Sequence, residues 1–182
     1  MNWKTSGLRT WASVAMLAAA ICAGCRTQPP LPVVEAVDIE RFMGDWYVIA
    51  CIPTWIERNA HSAVESYRLG PDGRVKTTFR FRSGGFDGPL QVYHPVGFVD
   101  AASRGAIWGK RFVWPFRADY RVIYIDSGYQ STVVGRTKRD YAWIMARSST
   151  IADDELARLT DLLAGAGYDV SKLRRVPQEL TR

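Results

Sequence analysis

The clearest pattern in the chain is an alternation across residues 74–82. Val75, Thr77, Phe79 and Phe81 fall on one side, and Lys76, Thr78, Arg80 and Arg82 on the other. A period of two, apolar on one face and charged on the other, belongs to a strand with one buried and one wet side. Further stretches read as strands at 44–53, 63–69, 90–99, 105–113, 119–126, 130–136 and 141–147. Gly70-Pro71-Asp72-Gly73 is a tight-turn sequence, because Pro presets φ and Gly accepts positive φ. Gly84-Gly85, Gly88-Pro89, Asp126-Ser127-Gly128 and Lys138-Arg139-Asp140 mark other bends. Short strands at this regular spacing predict an all-β fold, an eight-stranded antiparallel up-and-down barrel that leaves no open edge.

After residue 147 the period changes. Leu156, Leu159, Leu162 and Leu163 follow helical spacing, which predicts one C-terminal α-helix packed on the barrel wall. Thr150 with Asp153 reads as an N-cap pair, Asp153, Asp154 and Glu155 complement the positive helix start, and Gly165 or Gly167 can end the helix. Residues 168–176 read as a final short strand. Ahead of the first strand, Val37 to Phe42 reads as a helical turn capped by Asp38.

The N-terminus has a different character. Lys4 and Arg9 precede an apolar, Ala-rich run from Trp11 to Ile21, as in a secretory signal, and the run is short for a membrane-spanning helix. It ends Cys22-Ala23-Gly24-Cys25, which resembles a bacterial lipobox with Cys22 where Leu is usual. Residues 1–24 are therefore expected to be a lipoprotein signal peptide, and Cys25 the acylated anchor. Residues 25–36, with three of the nine prolines, are expected to form a semi-rigid tether, and 37–182 the barrel domain. Arg26 after the Cys favours the outer membrane of a Gram-negative cell over retention at the inner one.

The chain of 182 residues is 47% hydrophobic and 12% aromatic, enough for one sizeable core. Loss of Lys4 and Arg9 with the leader lowers the formal charge from +6 to +4. The basic residues form no block interleaved with aromatics, so nucleic acid is not an expected partner. Acylation of Cys25 leaves Cys51 as the one thiol of the mature chain, which excludes an internal disulfide. His61 and His94 sit in no metal-ligand spacing, and no cofactor or metal is expected; a tetrapyrrole carried through either His is the weakest reading. The nucleophile-elbow and phosphate-loop patterns are both missing from the sequence. Cys51, in phase with Tyr47 and Ile49, is expected to face away from the interior, under the helix. An enzyme is not expected.

Three motifs occur in order: Gly44-Asp45-Trp46-Tyr47, with Trp55-Ile56-Glu57-Arg58 after it; Ala118-Asp119-Tyr120, with Val122 to Asp126 beyond; and Arg139 to Arg147. Together they resemble the lipocalin family, and within it the bacterial lipoprotein subgroup related to apolipoprotein D. The family pattern prefers Thr at Ala118, and the subgroup often carries Arg at Cys51. The resemblance implies a barrel that binds a small apolar molecule. Gly44, Trp46 and Arg147 would be structural, with the guanidinium stacked on the indole at the closed end.

With Trp46 and Arg147 as phase markers for the first and last strands, Arg121 facing out on 119–126, and the apolar side of 74–82 turned in, simple alternation points Val48, Ala50, Val75, Thr77, Phe79, Phe81, Tyr120, Val122, Tyr124, Tyr141, Trp143 and Met145 inward as candidate ligand-binding residues. Such a lining suits an acyl chain with its head group near the mouth. The expected function is a membrane-anchored carrier of fatty acids, lysophospholipids or similar amphiphiles, serving envelope lipid transport, storage or repair. The alternative is an envelope interaction protein with a filled barrel and a protein partner. A homodimer is left open.

Overall fold

The computed structural model describes residues 28–113 and 116–179. The leader, residues 1–24, and Cys25 lie outside the described residues. A turn of helix, α1 (Ile39–Phe42), leads into the strands β1 (Gly44–Ile52), β2 (Ala60–Leu69), β3 (Val75–Ser83), β4 (Leu90–Tyr93), β5 (Val96–Val99), β6 (Ile107–Val113), β7 (Phe116–Ile125), β8 (Ser131–Gly135) and β9 (Ala142–Ala146). Each pairs antiparallel with its sequence neighbour, except that β4 and β5 both pair with β3, and β9 returns to pair with β1. The result is the eight-walled closed barrel, with β4 and β5 as two halves of one wall. The break falls at His94-Pro95, where proline has no N–H to give; the Pro95 carbonyl instead accepts from Thr77 N at 3.0 Å.

Asp38 caps α1 as the sequence predicts, its carboxylate accepting from the amides of Glu40 and Arg41 at 3.1 and 3.2 Å. The main helix, α2 (Asp153–Gly165), lies on the outside of the barrel. Its start differs from the predicted cap: Thr150 is too early, Ala152 holds the cap position, and Asp154 accepts from the Glu155 amide at 2.8 Å. Gly167, at φ +88°, makes the left-handed exit. The last predicted strand shrinks to β10 (Arg174–Arg175), because Asp169 caps a 3₁₀ turn over Val170–Lys172 that uses up the preceding residues.

Apolar residues divide into an inner cluster and an outer one under α2. Phe42, Trp46, Val48, Tyr67, Trp108 and Met145 are inside; Ile49, Ile123, Val133, Ile144, Leu159 and Leu163 are outside. Burial of each of the two leucines contributes roughly 1.5–3 kcal/mol to holding the helix down. Tyr168 secures its far end, its hydroxyl donating to the Arg136 carbonyl at 2.9 Å and accepting from the Arg136 amide at 2.7 Å.

Register shifts occur in four ladders, and two of these β-bulges change which of the predicted ligand residues point inward. In the β1–β9 ladder Val48 faces Met145 and Ala50 faces Ile144, so Ile49 is extra. In the β7–β8 ladder Val122 faces Val134 and Tyr124 faces Val133, so Ile123 is extra. An inserted residue reverses the alternation beyond it. Ala50 therefore joins the outer cluster and Cys51 the inner one, the reverse of the predicted arrangement. Tyr124 also points outward, with the Arg158 guanidinium of α2 4.7 Å above its ring.

The predicted tether behaves differently too. From residue 28 it runs along the barrel: Leu31 is buried in the outer cluster, Val34 N donates to Val122 O at 3.0 Å, and Arg139 donates to the Pro29 carbonyl at 2.7 Å and to Gln28 Oε1 at 3.2 Å. Leu31, Val33 and Val34 are apolar enough to prefer the wall to water.

Candidate functional site

The end of the barrel where β1 begins is solid. Gly44 enters the strand at φ +96°, a conformation that a side chain resists. Trp46 and Phe42 are fully buried with ring centres 5.1 Å apart, and Trp108 lies 5.3 Å from Phe42. Both indole N–H groups are satisfied, Trp46 donating to Phe42 O at 2.8 Å and Trp108 to Gly105 O at 2.7 Å. Arg147 lies 3.9 Å over Trp46 and donates to the carbonyls of Arg41, Met43 and Asp45 at 2.8–2.9 Å. One guanidinium thus stacks on the plug and ties α1 to β1.

Above this plug lies a buried polar cluster. Lys110 pairs with Glu65 Oε2, which also accepts from the Tyr67 hydroxyl; Tyr67 and Tyr120 hydroxyls are 2.7 Å apart. All four side chains are buried. Tyr67 spends its proton on Glu65, so Tyr120 must donate to Tyr67. Burial, and then the neighbouring Glu65 carboxylate, hold both phenols well above the ordinary tyrosine range, so they stay protonated donors.

Beyond the cluster the barrel opens into a cavity of about 460 Å³. Phe79, Tyr93, Phe112, Tyr141 and Trp143 supply apolar wall, Glu65 borders it, and Trp55 stands at the mouth, 75% exposed. Glu57, from the β1–β2 loop, is buried at the rim; its Oε1 accepts from Thr54 N at 2.9 Å and its Oε2 from Trp143 Nε1 at 3.3 Å. Burial pushes its carboxyl up, against the lowering effect of those two N–H groups. The contact holds the Trp143 ring against the cavity.

Of the predicted ligand residues, Phe79, Tyr141 and Trp143 border this cavity. Val48, Val75, Phe81, Tyr120, Val122 and Met145 face the interior but are packed into its core. Thr77 is buried and does not border the cavity. Ala50 and Tyr124 are outside it because of the bulges. Glu57 and Glu65, with Lys110 behind, were missing from the predicted set. Glu65 alternates in phase with Ala63 and Tyr67, and Lys110 with Ala106 and Trp108, so a charge on an apolar face was the available signal. Cys51 lies inside, but burial and then nearby Glu57 push its thiol up to about 12, so it is not a thiolate at neutral pH.

The lipocalin-like domain family matches residues 37–178. The chain belongs to the lipocalin family. This lipocalin is similar to temperature-induced lipocalin-1 of Arabidopsis thaliana, 32% identical over 83% of this chain and 84% of that protein. It is 30% identical to the outer membrane lipoprotein Blc of Escherichia coli K12, over 90% of this chain and 94% of that one. Among solved structures, insecticyanin of the tobacco hornworm Manduca sexta superposes with a TM-score of 0.65, at 14% identity, over 85% and 86% of the two chains, which places the lipocalin fold here independently of sequence.

Proposed function

We propose that this lipocalin binds one small amphiphilic lipid, of the fatty-acid or lysophospholipid class, in the open half of its barrel. The observation that carries the reading is the cavity of about 460 Å³ walled by Phe79, Tyr141 and Trp143. That size falls within the roughly 300–1,000 Å³ of small-molecule sites. Each buried methylene contributes about 0.8 kcal/mol, so a chain of moderate length suffices for micromolar affinity after ordering costs. Binding, without turnover, is the activity. The protein works from the outer membrane, anchored by acyl chains on Cys25, in envelope lipid transport, storage or repair. The lipobox-like sequence and the E. coli relative's name support that location.

Two experiments test it. Delipidated protein carrying Cys25→Ser is titrated with fatty acids and lysophospholipids, following tryptophan fluorescence. Saturable quenching is expected; no saturable response from folded protein would leave a protein-binding role for the outer surface. Labelling of the intact chain with palmitate in cells is expected, and its persistence in Cys25→Ser would remove the anchor from the proposal.

A further inference from the structure

The carboxylates around the cavity differ in how fully they are used. Glu57 has Oε1 on Thr54 N and Oε2 on Trp143 Nε1. Asp119 has Oδ1 on Arg121 and Oδ2 on Arg121 and on the amide and hydroxyl of Thr137. Arg136, also at the mouth, is 3.5 Å from Asp140. Both carboxylates, Glu57 and Asp119, are thus already partnered, whereas Arg136 pairs with Asp140 while its buried Nε has no hydrogen-bond partner among the described residues, a donor placed at the mouth rather than at the inner end. Glu65 is different: Oε2 takes both Lys110 and Tyr67, and Oε1 accepts from no donor among the described residues. Its side chain is only 7% exposed, and it borders the cavity.

The ammonium that neutralises it is turned away. Lys110 Nζ sits 4.9 and 4.6 Å from the ring centres of Tyr67 and Tyr120, is bonded to Glu65 and Tyr67, and does not border the cavity. A ligand at the inner end therefore meets an acceptor oxygen. A methyl terminus there would strip water from that oxygen and return nothing, a penalty that falls hardest on charged groups. A ligand carboxylate brings no donor and a like charge. A hydroxyl supplies the missing hydrogen bond with no net charge. The rim agrees, since Trp55 and Phe112 leave apolar surface exposed where the other end of such a ligand would emerge.

We propose that Glu65 is a specificity-determining residue that selects an uncharged, hydroxyl-ended amphiphile, a long-chain alcohol or monoacylglycerol, bound hydroxyl inward. This rests on the amphiphile-binding cavity proposed above and, within it, favours uncharged hydroxyl-ended amphiphiles over fatty-acid anions.

The test uses the full chain carrying Cys25→Ser and three probes of matched length: dodecan-1-ol, dodecyl methyl ether, which accepts but cannot donate, and dodecanoate. The alcohol is expected to bind about tenfold or more tightly than either of the others, the worth of one hydrogen bond to a charged acceptor. Replacing Glu65 and Lys110 together by Met removes both charges without stranding one, and is expected to erase the alcohol's advantage. Equal affinities for alcohol and ether in the unaltered site would overturn the proposal, whether or not the double variant folds. An alcohol advantage that survives in the folded double variant would also overturn it. Saturable binding of none of the probes would instead strike at lipid binding itself.

Discussion

The two halves of this barrel share the same strands yet are finished in opposite ways. In the closed half, Phe42, Trp46 and Trp108 fill the interior, each indole N–H has a carbonyl, and Arg147 closes over the top. In the open half the aromatic residues Phe79, Tyr141 and Trp143 stand against the wall and leave about 460 Å³ between them. Composition does not separate the halves, since both are aromatic. What separates them is a chain segment: α1 feeds Phe42 into one end, whereas the β1–β2 loop brings Glu57 to the rim of the other and holds Trp143 to the side. The polar cluster of Glu65, Tyr67, Lys110 and Tyr120 is the partition between them.

Substitutions can break or sharpen this contrast. Trp46→Ala should cost about 3–5 kcal/mol in denaturant unfolding, because a fully buried indole leaves a cavity that its neighbours cannot close. Lipid affinity of the folded fraction should change little; a large loss would mean that the halves are coupled. Trp143→Ala should do the opposite, weakening lipid binding about tenfold, near 1.4 kcal/mol, while stability falls by less than for Trp46→Ala. Equal stability losses in the two variants would erase the distinction. Gly44→Ala should cost about 1–2 kcal/mol, since φ of +96° is strained for any residue with a Cβ, and that atom would sit 3.2 Å from Arg147 Nη1.

The smallest effect is expected at the mouth. Burial raises the Asp119 carboxyl, but hydrogen bonds from Thr137 and Arg121 outweigh it and lower the net value. A carboxyl lowered by folding contributes stability fully above its unfolded value, near 4, and loses it as pH falls through the folded one. Asp119→Asn should therefore cost under about 1 kcal/mol at neutral pH and flatten the acid limb of the stability curve below about pH 4. An unchanged acid limb would remove Asp119 from that account.

The barrel strands, capped α1 and the body of α2 were legible because period and turn residues are local signals, whereas the start of α2 and the extent of β10 were not. Val75 to Phe81 alternates cleanly and keeps that alternation of burial in the fold; Asp38 caps where a capping residue is expected. The site was less legible for two physical reasons. A bulge adds one residue and leaves no compositional mark, so Ile49 and Ile123 shifted the phase of Ala50, Cys51 and Tyr124 unseen. Facing inward also does not mean facing a cavity: Val48 and Met145 point in and meet other side chains. That distinction depends on how far α1 and the loops reach into each end, which no single strand reports. Glu65 and Lys110 were readable, as charges in phase with buried neighbours, but only a pair across β2 and β6 makes sense of them.

The docked N-terminal segment has a consequence for geometry at a membrane. Arg139, which holds Gln28 and Pro29, belongs to the β8–β9 connection, beside Arg136 and Tyr141 at the cavity mouth. Under the proposal that Cys25 carries the acyl chains, the four-residue step to Pro29 spans at most about 14 Å even when fully extended. Pro29 and the rim beside it would then hang on a leash shorter than half a bilayer's hydrocarbon core of about 30 Å. The barrel would be moored by its mouth, so that cargo crosses a gap of molecular width and spends almost none of its journey in water.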